Sequence, residues 1–271
     1  MEDSGYFGND SITWKIASEA VLTVGGARAV LMQLAHPLVA MGVSAHSSYI
    51  SNPLKRTEST FILGQMLTFG PTRTARDAAR TINHLHKHVH GTLPLDAGDY
   101  KHNTAYNARD PELLLWVHAT LIDTILQVYP LVVRPLSGEE QNQYYQESKT
   151  TARLLGLSAD AMPETVQDLQ RYVQDMVYSG HLAATPQARQ LARVVLFPPL
   201  PRVLQPLMFL NLQITCALLP DPVREIYGLE WDDLRQRAFD LSTAGMRAIL
   251  PHLPQSMRLF PITRRLMEQA A

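Results

Sequence analysis

Only one cysteine, Cys216, stands in the whole 271-residue chain, and it lies in the apolar run MFLNLQITCALL. A lone thiol forms no internal disulfide, and one buried among leucines is a poor nucleophile. Charge is also scarce, at 18% of residues with a formal net of -1, against 46% hydrophobic. Such a balance creates no basic field, so nucleic-acid binding is not expected. No G-x-x-x-x-G-K-S/T phosphate loop occurs, Gly25-Gly26 follows no strand that would make it a dinucleotide turn, and no G-x-S-x-G elbow is present. The apolar stretches also lack the inward glutamates with Glu-x-x-His that a di-iron bundle requires. The opening MEDSGYFGNDS has acids and no basic flank before an apolar core, so it does not read as a signal peptide. A reduced, cytoplasmic setting is the expectation.

What the chain does have is helical periodicity throughout. Ser11 caps a first helix. Ala20 to Val43 is apolar enough to cross a bilayer. Gly25-Gly26, Arg28, His36 and Pro37 argue instead for a buried helix that bends or ends near Pro37, without stable membrane insertion. Lys55 to Gly70 reads as a helix, Asp110-Pro111 starts the most apolar one, and Ser137 with Glu140 forms a capping box before a helix stopped at Gly156. Pro163 to Ser179, Thr185 onward, Leu207 to Leu219 and Leu234 to Leu250 follow, while Phe197 to Pro206 breaks regular structure and Gly91 to Asn103 is turn-rich. Alternating strand runs and internal repeats are lacking, so the fold class is all-α, a single domain over residues 1–271. The apolar surplus points to an interior lined for a small apolar ligand.

Four of the ten histidines fall in Thr72 to Gly91, TRTARDAARTINHLHKHVHG. At 100° per residue Ala75, Ala78, Ala79, Ile82, Leu85 and Val89 form one stripe, and His86 lies inside it. His84 and His88 lie on the polar side with Arg73 and Arg80, and His90 at the border. An imidazole aimed at a core is either satisfied by the backbone or binds a metal or haem. The i,i+4 pairs His84/His88 and His86/His90 have zinc spacing, but no glutamate or third ligand accompanies them. Arg28 in its apolar stretch needs an anion, either a carboxylate such as Glu19 or Glu58 or an acidic group of a cofactor. Arg56 and Thr60, one turn apart, are either surface residues or contact one object together. His118 and Asp123, inside the apolar helix from Asp110, must be paired.

The segments GGARAVLMQLAHPLVAMGVSAHS from Gly25, RTEST from Arg56, Phe69-Gly70, HKHVHG from His86 and YNARDPELLLWVHATL from Tyr106 occur in this order. Together they closely resemble the family of the mycophenolic-acid-pathway oxygenase and the catalytic domain of latex-clearing rubber oxygenases. The resemblance covers about residues 14–172; the helices of 185–271 carry no placed motif and are expected to complete the fold. It implies a globin-like helical core binding haem b, held without covalent attachment, with dioxygen as co-substrate. The H-x-x-V-x-G pattern implies His86 as axial iron ligand, and the family's Arg-x-x-x-Thr implies that Arg56 and Thr60 serve haem binding or activity. Arg28, His36 and His118 match recurrent positions, and a haem propionate would suit Arg28. Ser59 stands where rubber-cleaving members have a lysine, and Ala40 near their proposed glutamate. The implied reaction is oxidation of a small, mostly apolar molecule, by cleavage of a carbon-carbon double bond, with rubber not expected. The alternatives are a haem carrier or sensor without turnover and a metal-free apolar-ligand-binding protein.

Overall fold

The computed structural model describes residues 3–270 and is an all-α single domain. Its first half holds α1 (Ile12–Ala17), α2 (Gly26–Leu34), α3 (Pro37–His46), α4 (Pro53–Phe69), α5 (Thr72–Lys87), α6 (Pro111–Val132) and α7 (Gly138–Leu154). The rest holds α8 (Val166–Tyr178), α9 (Pro186–Leu196), α10 (Gln205–Leu218), α11 (Asp221–Tyr227), α12 (Asp233–Ile249), α13 (Gln255–Arg258) and α14 (Pro261–Ala270). The turn-rich loop after α5 contributes a small antiparallel pair, β1 (His90–Thr92) with β2 (Ala105–Asn107). Strands of three residues are too short to leave an alternating pattern in the sequence, which is why only a loop is expected there.

The longest helix, α6, is the hub on which α2, α7, α8 and α12 pack. The Asp110 carboxylate accepts the Glu112 amide at 2.9 Å, and Pro111 fills a first-turn position where its missing N–H costs nothing. Trp116, Ala119 and Thr120 are fully sealed, although Leu121 remains 46% exposed, so the helix is not buried on every side as its composition suggests. It is long and apolar enough to cross a membrane, but 56% of its most apolar 18-residue window is buried inside the protein. The other apolar stretch breaks at Pro37: Ala20–Leu34 and α3 meet at 107°. There the His36 side chain caps α3 and proline opens it.

Close approach of α2 to α6 depends on Gly25. A Cβ at this position would sit 2.8 Å from Thr124 Cγ2 and from Val128 Cγ2. Gly25→Ala is therefore expected to cost about 1–3 kcal/mol by overpacking, measurable as a lowered urea midpoint.

The C-terminal segment folds back on α4. Phe260 packs edge-to-face on Phe61 at 4.8 Å, Thr263 donates to Gln65, and Leu266 and Ala270 join Trp14 and Phe69 in one cluster. Arg258 closes this arrangement through a bidentate bond to the buried Glu19.

Candidate functional site

Helices α4 and α5 are joined only through Gly70-Pro71 and pack against each other along their length. The link must be glycine, since a Cβ on Gly70 would come within 2.6 Å of the Met66 carbonyl. Phe69 beside it is fully buried against the edge of Trp14, ring centroids 5.2 Å apart. Arg56 lies thirteen residues before Phe69 and His86 fourteen after Thr72, so both stand roughly 20 Å from the turn, at the same end of the hairpin.

There they meet electrostatically. His86 is half-buried, and its Nδ1 is sealed from solvent without a hydrogen-bond partner among the described residues. Burial first, and then the Arg56 guanidinium, hold its pKa below the usual imidazole value, so the ring is neutral at pH 7 with a lone pair to give. Arg56 is half-buried, donates through Nε to Ser47 Oγ at 3.1 Å, and has no carboxylate partner among the described residues. Burial lowers its pKa, yet a guanidinium remains charged. A half-desolvated cation without a counter-ion suits an anionic group of a ligand.

Thr60 is exposed one turn along α4, its hydroxyl donating to the Arg56 carbonyl at 2.9 Å, and Ser59 donates likewise to Lys55 at 2.8 Å. Beyond Thr60, a Cβ on Gly64 would meet nothing within 4 Å, so this side of α4 is open. Leu54 and Leu85, 47% and 56% exposed, give the same end an apolar surface. Two surface depressions lie elsewhere, about 200 Å³ at Glu19 and Arg258 and about 420 Å³ at Asp3, Thr72 and Arg76.

The donor set discriminates between metals. No group of three or more His, Cys, Asp or Glu that could hold an ion exists among the described residues, and His84 and His88 pack edge-to-face, 5.1 Å apart, on the exposed side. A zinc or non-haem iron centre held by protein alone requires about three ligands, whereas porphyrin iron needs only one axial histidine. One imidazole at this end, unpartnered among the described residues, meets the protein-ligand count of a porphyrin iron and falls short of that of a bare ion. The glycine of the histidine motif has its own reason, because the Tyr106 ring lies across Gly91 and a Cβ would come within 2.6 Å of its hydroxyl.

Three expected members of the site are engaged elsewhere. Arg28 is fully buried and donates to Asp123 Oδ2 at 2.7 Å, Thr124 Oγ1 at 2.6 Å and the Leu218 carbonyl at 2.7 Å. Its anion is therefore Asp123, neither Glu19, Glu58 nor a propionate. His36 uses both nitrogens, Nδ1 accepting the Leu38 amide at 3.3 Å and Nε2 meeting the Tyr100 hydroxyl at 3.0 Å. His118 Nε2 meets Ser148 Oγ at 3.3 Å, tying α6 to α7. Leu85 faces outward instead of joining the inner stripe, because the buried line runs Ala75, Ala79, Ile82, His86. Ser47, which steadies Arg56, carries no signal in the sequence that would single it out.

Burial, and then His181 nearby, depresses the pKa of His36 to about 4; burial, and then Lys149, does the same for His118, also to about 4. The unfolded chain takes up these protons near pH 6.5, before the folded one. Stability is therefore fully present above pH 6.5 and lost as pH falls toward 4, by about 1.4 kcal/mol per unit for each histidine. Urea midpoints measured at successive pH values should fall across that window and not above it.

The family model described as ER-bound oxygenase mpaB/B'/Rubber oxygenase, catalytic domain, matches residues 14–248. The chain belongs to this family. As a member of an oxygenase family it extends the likeness past the first 172 residues, taking in α9 to α12, where the sequence carries no placed motif. Two relatives of this oxygenase-family chain, uncharacterized proteins of Mycobacterium bovis and Mycobacterium tuberculosis, are each 27% identical over 234 residues. The aligned part covers 82% of this chain and 88% of each relative. No solved structure matches significantly.

Proposed function

We propose that this oxygenase-family domain binds haem b through His86 and uses dioxygen to oxidise a small, mostly apolar molecule, with cleavage of a carbon-carbon double bond as the reaction. The observation that carries the reading is the neutral, half-buried imidazole of His86 beside the Arg56 cation, where neither the His86 Nδ1 nor Arg56 finds a hydrogen-bonding or carboxylate partner, respectively, among the described residues. When bound, the haem supplies redox chemistry toward dioxygen that amino-acid side chains lack. His86 donates the lone pair. Arg56 offers a charge for a carboxylate of the ligand or for a developing negative charge. The Thr60 hydroxyl, now bonded to its own helix, can turn outward to donate across the open side of α4.

The acid and base of the rubber-cleaving members have no counterparts here. Ser59 is an exposed hydroxyl, and Ala40 is fully buried against Leu34, Ala188 and Leu191, with no room for a carboxylate. This counts against rubber as the substrate and against a reaction that relies on a carboxylate at position 40. The test is to express the protein with haem supplied, record its absorption spectrum, and then follow oxygen uptake with apolar alkenes. A Soret band at one haem per chain with alkene-dependent oxygen consumption is expected. A colourless, iron-free protein defeats the proposal, and reversible carbon monoxide binding without turnover reduces it to a haem carrier or sensor.

A further inference from the structure

Helix α12 has two apolar faces, and the core of its own chain uses one of them. Phe239, Thr243 and Met246 are buried or half-buried where the helix packs on α6 and α10. At 100° per residue Leu234, Ala238, Leu241, Gly245 and Ala248 fall within about 40° of a line roughly 150° away from that face. All five are exposed, Leu234 and Leu241 by 77% and 76%, and Ile249 at the edge of the stripe is 62% exposed. Their spacing alternates four residues with three, the period of a helix that packs lengthwise on another helix.

Two further details of this face say what covers it. Gly245 weakens the helix relative to alanine, yet a Cβ there would meet nothing within 4 Å, so its own chain makes no use of the close approach that glycine permits. The flank of the stripe carries Arg237 and Asp240, both exposed. Elsewhere an Asp and an Arg three residues apart bridge locally, as in Asp77 with Arg80, Asp168 with Arg171, Asp221 with Arg224 and Asp232 with Arg235. Arg237 and Asp240 have the same spacing in reverse order, and neither belongs to an ion pair among the described residues; Asp240 accepts from Gln236 Nε2 at 2.9 Å.

We propose that the outer face of α12 pairs with the same face of a second copy of this chain, the two helices running antiparallel about a two-fold axis. When Ala238 lies level with the second copy's Leu241, Leu234 lies level with the second copy's Gly245, so each leucine meets a small residue, and symmetry repeats both contacts. Arg237 then stands about 3 Å along the axis from the level of the second copy's Asp240, on the same flank, and the symmetric pair does likewise. The stripe is thus its own complement in shape and in charge, which selects a second copy as the occupant. A lipid surface would use neither the small residues nor the two unpaired charges. One helix pair falls short of the roughly 1,000 Å² of a standard stable interface, so the dimer is reversible, with a dissociation constant in the micromolar range.

The test is sedimentation of the full chain from about 1 to about 200 μM, a range that brackets a micromolar constant. The average mass should rise from one chain toward two. Leu241→Glu should weaken association at least about tenfold and leave the melting curve of dilute protein unchanged, because the position is exposed, whereas Tyr178→Glu, exposed on α8, should leave association alone. Arg237→Asp and Asp240→Arg should each weaken the dimer, and the two together should restore it. A mixture of Leu234→Cys and Gly245→Cys chains should cross-link on oxidation, while Leu234→Cys alone should not, since its two copies lie about 16 Å apart along the axis. A monomer at every concentration, indifference to Leu241→Glu, a charge exchange that restores nothing, or self-linking of Leu234→Cys overturns the proposal. So does capture of the monomer by phospholipid vesicles that Leu241→Glu abolishes.

Discussion

Replacing His86 with alanine is expected to leave a folded protein that no longer retains haem, read as disappearance of the Soret band after gel filtration. The fold should survive because His86 is only half-buried and makes no side-chain hydrogen bond through Nδ1 that the core would miss. The cofactor should not, because no other histidine takes the same place: His84 and His88 face solvent, while His36 and His118 are bonded within the fold. Losing an outer-shell partner of a metal ligand typically weakens binding 10–100-fold, so losing the ligand itself should cost at least about 100-fold. The pH dependence has a definite sign. Only the neutral ring binds iron, and burial together with Arg56 holds it neutral, so haem loss should begin below the ordinary imidazole value near 6.5. In Arg56→Gln the midpoint should move upward, because the cation that opposes protonation is gone. A Soret band that persists unchanged in His86→Ala would end the haem assignment at this residue.

Removing the carboxylate of Asp123 should destabilise the protein more than any surface change. Arg28 has no exposure, Asp123 has 8% side-chain exposure, and their bond joins α2 to α6, while Arg28 Nε reaches the last residue of α10. The intact pair contributes little net stability, since desolvation opposes the attraction. Breaking it leaves a buried guanidinium with only Thr124 and a carbonyl for company, a cost of about 3–5 kcal/mol. Against a total stability of about 5–15 kcal/mol, Asp123→Ala should be largely unfolded or strongly shifted in a urea melt. Arg28→Met combined with Asp123→Leu should recover most of the loss, because neither charge is then buried alone. A small effect in the single variant would mean that Arg28 finds another anion.

The features legible in the sequence were those whose causes are local. The Ser137 capping box, the Asp110-Pro111 start, the Gly156 stop and the break at Pro37 each depend on residues within a turn of one another, and each stands where the sequence places it. The inward setting of His86 was legible too, although the phase misplaced Leu85. What could not be read were pairings across long separations. Arg28 and Asp123 are 95 residues apart, and nothing near either one names the other. Arg56 carries its open charge for the opposite reason, since none of the described carboxylates is brought to it, and a gap of that kind is visible only in three dimensions.

The C-terminal helix lies beyond the residue at which the family match ends, yet it forms part of the wall against which the Arg56-bearing helix rests. A recombinant fragment cut at 248 would lose Arg258 and strand the buried Glu19 carboxylate, besides uncovering Phe61 and Phe69. Expression work on this protein should therefore keep the final helix intact and place any purification tag after a spacer.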